Sequence, residues 1–136
     1  MDTNVFIAAL LSATGSNRAV LRACLSGKAT PLMGAALFSE YEDLLAREAL
    51  QKACPVSGAE RRTLLESFLS VSIWVKIYYL WRPNLPDETD NHLVELALAG
   101  HADVIVTNNV RDLRGGELNF PDMQILTPNQ FIKALP

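Results

Sequence analysis

Residues 90–109 read DNHLVELALAGHADVIVTNN, and their reading decides the fold. Asp90, Leu93, Val94 and Ala97 fall at i, i+3, i+4 and i+7, the stripe of an amphipathic helix that Gly100 ends. The β-branched run Val104, Ile105, Val106 that follows is short, continuous and apolar, as suits a strand buried on both faces. A helix delivering the chain into such a strand is half of a βαβ unit, so the rest of the sequence is expected to repeat the alternation.

The flanking sequence does so. MQILTPNQFIKAL (123–135) reads as a short strand through Ile125 and Leu126, then a helix with Thr127 as N-cap and Pro128 at its first position. NRAVLRACLSGK (17–28) has helical spacing and stops at Gly27, ahead of the extended segment ATPLMG (29–34). AALFSEYEDLLAREAL (35–50) places Leu37, Tyr41, Leu44 and Leu45 on one helical stripe. GAERRTLLESFLSV (58–71) predicts a further helix, and the β-branched and aromatic SIWVKIYYLW (72–81) a strand. The expected fold class is α/β, a three-layer α/β/α arrangement with a mostly parallel central sheet, and residues 1–136 form one domain.

Bulk properties narrow the function. A chain of 136 residues is long enough to bury roughly two-thirds of its unfolded surface. Its hydrophobic fraction of 49% and charged fraction of 20% are those of a water-soluble domain, and no 18-residue apolar run is present to cross a bilayer. The opening MDTNVFIAALLSATGS lacks the basic n-region of a secretory signal, so the cytoplasm is the expected compartment. Cys24 and Cys54 have neither disulfide-framework nor zinc-ligand spacing and are expected to be reduced. With a net charge of −3, binding of a polyanion has no help from the overall charge, and phosphate chemistry would need a metal.

In parallel α/β sheets, ligand sites form beyond the carboxyl ends of the strands. Asp2 stands at the start of helix-forming sequence, where it would directly follow a first strand, and Asn108 to Asp112 follow the strand VIVT. Asp90 lies on the core-facing stripe of its helix, where a carboxylate needs a reason. Helix capping is one, with Asp87 as N-cap and Asp90 at N3. Glu40 lies about 80° from the centre of its helix's apolar stripe and borders the core, whereas Glu42 and Asp43 fall on the solvent side. Carboxylates gathered together repel unless a cation neutralises them, and Mg²⁺ or Mn²⁺ suits an all-oxygen donor set. Metal-assisted phosphodiester hydrolysis is the chemistry such a cluster would support. His92 and His101 read as surface or structural residues.

DTNVFIAALL (2–11), SEYEDLLAR (39–47) and PDETDNHLVELALAGHADVIVTNNVRDL (86–113), in this order and spacing, resemble the PIN-domain family, and more narrowly the toxin components of toxin–antitoxin systems related to VapC-type ribonucleases. The resemblance implies a cytoplasmic, Mg²⁺- or Mn²⁺-dependent endoribonuclease acting on single-stranded RNA. It implies catalytic acids at Asp2, Glu40, Asp90 and Asp112, with Asp2, Asp90 and Asp112 as metal ligands. Asn4, Asp87, Thr107 and Asn109 would be supporting residues that orient carboxylates or water. An antitoxin partner and a homodimer are implied as well, with the surface helix of residues 57–71 available to the dimer.

Two departures stand out. Asn109 occupies a place where many members of the family have aspartate, and Met1 stands where they have an apolar strand, so the N-terminal strand is shortened. Loss of a central strand should lower stability. Helix packing through Val5, Phe6 and Leu10 is then expected to hold Asp2. These departures favour an alternative, a catalytically degenerate PIN-like module that binds RNA or protein. A receiver-like signalling domain would need a lysine after VIVT or MQIL, and neither position supplies one.

Overall fold

The structure, a computed structural model, describes residues 1–12, 14–55, 57–76, 91–110 and 123–135. The described elements are helices α1 (Thr3–Leu11), α2 (Ser16–Leu25), α3 (Ala35–Leu45), α4 (Glu48–Ala53), α5 (Gly58–Val71), α6 (Asn91–Ala99) and α7 (Pro128–Ala134), and strands β1 (Leu32–Met33), β2 (Ile73–Trp74), β3 (Val104–Val106) and β4 (Gln124–Leu126). β1 pairs with β2 and β3 with β4, both parallel, so each pair needs a crossover connection, which between β1 and β2 is made by α3, α4 and α5. In register, Leu32 faces Ile73, and Val104, Ile105 and Val106 face Gln124, Ile125 and Leu126. This is an α/β fold, rich in helix, with short parallel strands. Among the described residues those strands form two separate two-stranded sheets.

Burial joins the two. α6 packs on both β1 and β3, and its residues Leu93 through Ala97 are all buried, so it is a central helix and not a surface one. Phe6 of α1, Tyr41 of α3 and Phe68 of α5 form a triangle of rings with centroids 5.1 to 6.0 Å apart, each ring fully buried. Aromatic pairs at that spacing contribute about 0.5–1.5 kcal/mol each beyond their burial. A second, smaller core gathers Val5, Val20 and Val106, with Phe131 and Ile132 of α7 against it. α1 therefore faces two ways, with Phe6 and Leu10 in the larger core and Val5 in the smaller.

Local sequence accounts for most boundaries. α7 begins with a full capping box, in which Gln130 N–H donates to the Thr127 hydroxyl and Thr127 N–H to the Gln130 side-chain oxygen, with Pro128 at the first position. The helix expected over 35–50 is instead two, because Arg47 is extended. The Gln51 amide donates to the carbonyls of Leu45 and Ala46, meeting groups that the broken helix would otherwise leave without partners. Of the strand expected over 72–81, Ile73 and Trp74 form β2, and residues 77–81 lie outside the described residues.

α2 and α6 end in the same way. Lys28 N–H donates to Ala23 O and Gly27 N–H to Cys24 O; Ala102 N–H donates to Ala97 O and His101 N–H to Leu98 O. Both are Schellman closures, which need a left-handed residue after the cap. In α2 that residue is Gly27, at φ 85°; in α6 it is His101, at φ 55°, and not the neighbouring Gly100. Gly100 serves packing instead, since a Cβ there would lie 2.5 Å from Leu32 Cδ1 and 3.0 Å from Val75 Cγ2.

Two substitutions should therefore move stability in opposite directions in chemical denaturation. His101→Gly relieves a left-handed side chain and should gain about 1 kcal/mol. Gly100→Ala obliges the Leu32 and Val75 side chains to shift and should cost about 1–3 kcal/mol.

Candidate functional site

Asp2 lies at the N-cap of α1 and is only 6% exposed, yet it makes no side-chain cap. Its carboxylate is held by tertiary contacts. The Thr107 hydroxyl, just beyond β3, donates to Asp2 Oδ2 at 2.6 Å, and Asn4 Nδ2 donates to the same oxygen at 3.2 Å. Thr107 Oγ1 in turn accepts from Asn109 N–H at 3.0 Å and from Asn4 Nδ2 at 3.5 Å. A hydroxyl has one hydrogen to give and two lone pairs, so this buried group is fully used. Asn4 Oδ1 accepts from Asn108 N–H, which ties the segment after β3 to the first turn of α1.

The backbone is fixed as firmly. Asp2 N–H donates to Val106 O at 2.9 Å, and the Tyr41 hydroxyl donates to Met1 O at 2.7 Å. Val5, Phe6 and Leu10 are fully buried, as expected of the helix that anchors Asp2. Burial, first, and the charges of Asp2, Cys24 and Glu40 push the Tyr41 hydroxyl well above its ordinary pKa of 10.0. Burial likewise raises the Cys24 thiol above 9.0.

Asp2, Asn4, Glu40 and Asn109 line one cleft of about 510 Å³, flanked by Ile7, Leu11 and Leu44, with Arg47 at its rim. Glu40 sits at the edge of the core, while Glu42 and Asp43 are exposed, as the helical wheel places them. Its Oε2 lies 2.7 Å from His92 Nε2 on α6, an exchange between side chains 30% and 19% exposed. His92 therefore belongs beside the cleft, a placement that its isolation in the sequence did not signal. Glu95, one turn further along α6, is 3% exposed. Its signal was available: a lone acid inside LVELALA, with apolar neighbours on every side.

Of the residues singled out in the sequence, the structure brings together Asp2, Asn4, Glu40, Thr107 and Asn109. Asp87, Asp90 and Asp112 lie outside the described residues. Among the described residues no three His, Cys, Asp or Glu side chains gather as a metal site would require. Cys24 and Cys54 are free thiols. No helix among them is long and apolar enough to cross a membrane.

Compared with known families, residues 1–111 match the family model described as a PIN domain. No curated protein and no solved structure matches the chain.

Thr107→Val should lower stability by about 1–3 kcal/mol in urea denaturation, because it strands the Asn109 N–H and leaves the Asp2 carboxylate without its shortest donor. A second check uses pH. A group whose folded pKa is raised stabilises fully below its unfolded pKa and loses that contribution as pH rises, so Cys24 and Tyr41 should make the thermal midpoint fall as pH rises past their ordinary values of 9.0 and 10.0. Tyr41→Phe should be less stable at neutral pH by about 1 kcal/mol, for the lost bond to Met1, and show a shallower alkaline fall.

Proposed function

This chain belongs to the PIN-domain family, and from that premise we propose that it is a metal-dependent endoribonuclease that cleaves single-stranded RNA, the toxin of a toxin–antitoxin pair. PIN domains are typically nucleases that use divalent metal ions. The observation that carries the reading is the holding of Asp2: a buried carboxylate with one oxygen locked by Thr107 and Asn4, opening on the same cleft as Glu40 and Asn109. Such locking is how supporting hydrogen bonds orient a metal-binding carboxylate.

The donors facing the cleft are carboxylate and amide oxygens, a set that fits Mg²⁺ or Mn²⁺. A divalent cation, when bound, supplies Lewis acidity to the phosphodiester and acidifies water for attack. In this reading the Asp2 carboxylate, held through Oδ2 by Thr107 and Asn4, would help to hold the ion. Asp90 and Asp112 complete the ligand set from their positions in the sequence, with Asp87 in support. Glu40 is the second catalytic acid, steadied by His92. Asn109 offers its amide where a further charge would otherwise sit, and the cluster carries less negative charge as a result.

The antitoxin in this proposal lays a segment along the cleft, and the apolar flank of Ile7, Leu11 and Leu44 beside the acids fits a segment that is part apolar and part basic. A homodimer and a cytoplasmic location complete the proposal. Asn109 favours one other reading, a PIN domain that binds RNA or protein without cleaving.

The test is Mn²⁺ titration by calorimetry, followed by cleavage of an end-labelled single-stranded RNA. Binding should weaken at least tenfold in Asp2→Asn and in Asp90→Asn, and cleavage should fall about 100-fold or more. Binding without cleavage in the unsubstituted chain supports the binding module, and absence of Mn²⁺ binding overturns the metal-dependent reading.

A further inference from the structure

Arg47 is the one cation among the described residues lining the acidic cleft, where the other charges are Asp2 and Glu40. Its place there is built by the chain, and core packing does not account for it. LLAREALQKA (44–53) holds good helix formers throughout, with neither Gly nor Pro to stop a helix. The helix nevertheless breaks at Arg47, whose φ of −70° and ψ of 130° are extended, and restarts as α4. α4 has no buried residue, so the change of direction carries nothing into the core. It supplies a wall instead, with Ala49 and Leu50 lining the cleft beside Arg47. The Gln51 amide holds the break by donating to Leu45 O and Ala46 O.

The side chain is held as well. Arg47 Nη2 donates to Asp43 Oδ2 at 3.0 Å, one turn back on α3, with both side chains well exposed. An exposed pair of this kind adds little to stability. It does restrain a long side chain in advance, which lowers the entropy lost when that side chain binds something else. A guanidinium carries five N–H donors in a planar fork. Asp43 takes one of them, and the fork keeps donors for a phosphate, which it can meet with two parallel bonds.

The charge of the cleft calls for such a group. An RNA strand approaching Asp2 and Glu40 is repelled by both carboxylates, and the net charge of −3 offers no compensating field. Where a divalent ion offsets the charge of the phosphate being cut, the neighbouring phosphate still faces acids. Resting on the ribonuclease reading above, we propose that Arg47 is a binding residue for the RNA backbone: its guanidinium, tethered by Asp43, takes a phosphate next to the scissile one and so sets the strand along the cleft. A phosphate contact carries no base information, so Arg47 serves affinity and register and not sequence preference.

The test follows binding of a short single-stranded RNA of mixed sequence by fluorescence anisotropy, with Ca²⁺ as the divalent ion, from about 50 to 200 mM salt. In Arg47→Gln the RNA affinity should fall about five- to tenfold, and the slope of log affinity against log salt should shrink by about 0.7, the share of one phosphate on a single strand. Arg47→Lys keeps the charge and should keep the slope while recovering part of the affinity. Mn²⁺ affinity, measured by calorimetry, should hold or rise in Arg47→Gln, because a cation beside the acids has gone. A fall in both affinities overturns the proposal, since the cleft itself is then disturbed. So does a fall in RNA affinity with the salt slope unchanged. RNA affinity and slope both unchanged in Arg47→Gln overturn the proposal, leave the ribonuclease reading in place and turn attention to a carboxylate of a protein partner. Absence of RNA binding in the unsubstituted chain overturns both.

Discussion

The hydroxyl of Thr107 gives its one hydrogen to Asp2 Oδ2, and the geometry of the cleft depends on that bond. It ties the first helix to the end of β3, so the two places where acids and amides cluster in the sequence become one place in space. The backbone bond from Asp2 to Val106 makes the same connection one residue back along β3. Neither link is local; both require α1 to be seated, which Val5, Phe6 and Leu10 achieve by burial in two separate cores. Position here is set by apolar packing, and the polar bonds refine it. Their net contribution is only about 1 kcal/mol each, but leaving any of them unmade in a buried site would cost more.

What the sequence reveals of the fold follows the range of the interactions involved. The cap of α7 is legible because Thr127, Pro128 and Gln130 act within one turn. The helices and the β3 strand are legible because burial imposes a period. The break at Arg47 is not, because the Gln51 amide that serves the carbonyls of Leu45 and Ala46 sits inside a sequence of good helix formers. The end of α6 shows the opposite confusion. Gly100 looks like the residue that turns the chain, yet it is small because Leu32 and Val75 crowd it, and His101 takes the left-handed turn.

The cleft divides along the same line. Periodicity on α3 separates Glu40 from its exposed neighbours Glu42 and Asp43, and the family resemblance directs attention to Asp2, Asn4, Thr107 and Asn109. The partnership of His92 with Glu40 joins residues 52 positions apart and depends on how α3 and α6 cross, which no single-sequence pattern encodes. Glu95 is intermediate: its burial follows from its apolar surroundings, though its role in the molecule does not.

The bond between Thr107 and Asp2 spans 105 positions, and that separation has a consequence for timing. During synthesis Asp2 leaves the ribosome long before the hydroxyl that will orient it exists. At typical rates of ~5–20 residues per second the interval is roughly 5–20 s. Throughout it, α1 to α5 can collapse around the ring triangle, but the carboxylate has no fixed direction. The cleft is therefore absent until Thr107 has cleared the exit tunnel, and its assembly is among the last events of folding, as contacts of such separation are slow to form.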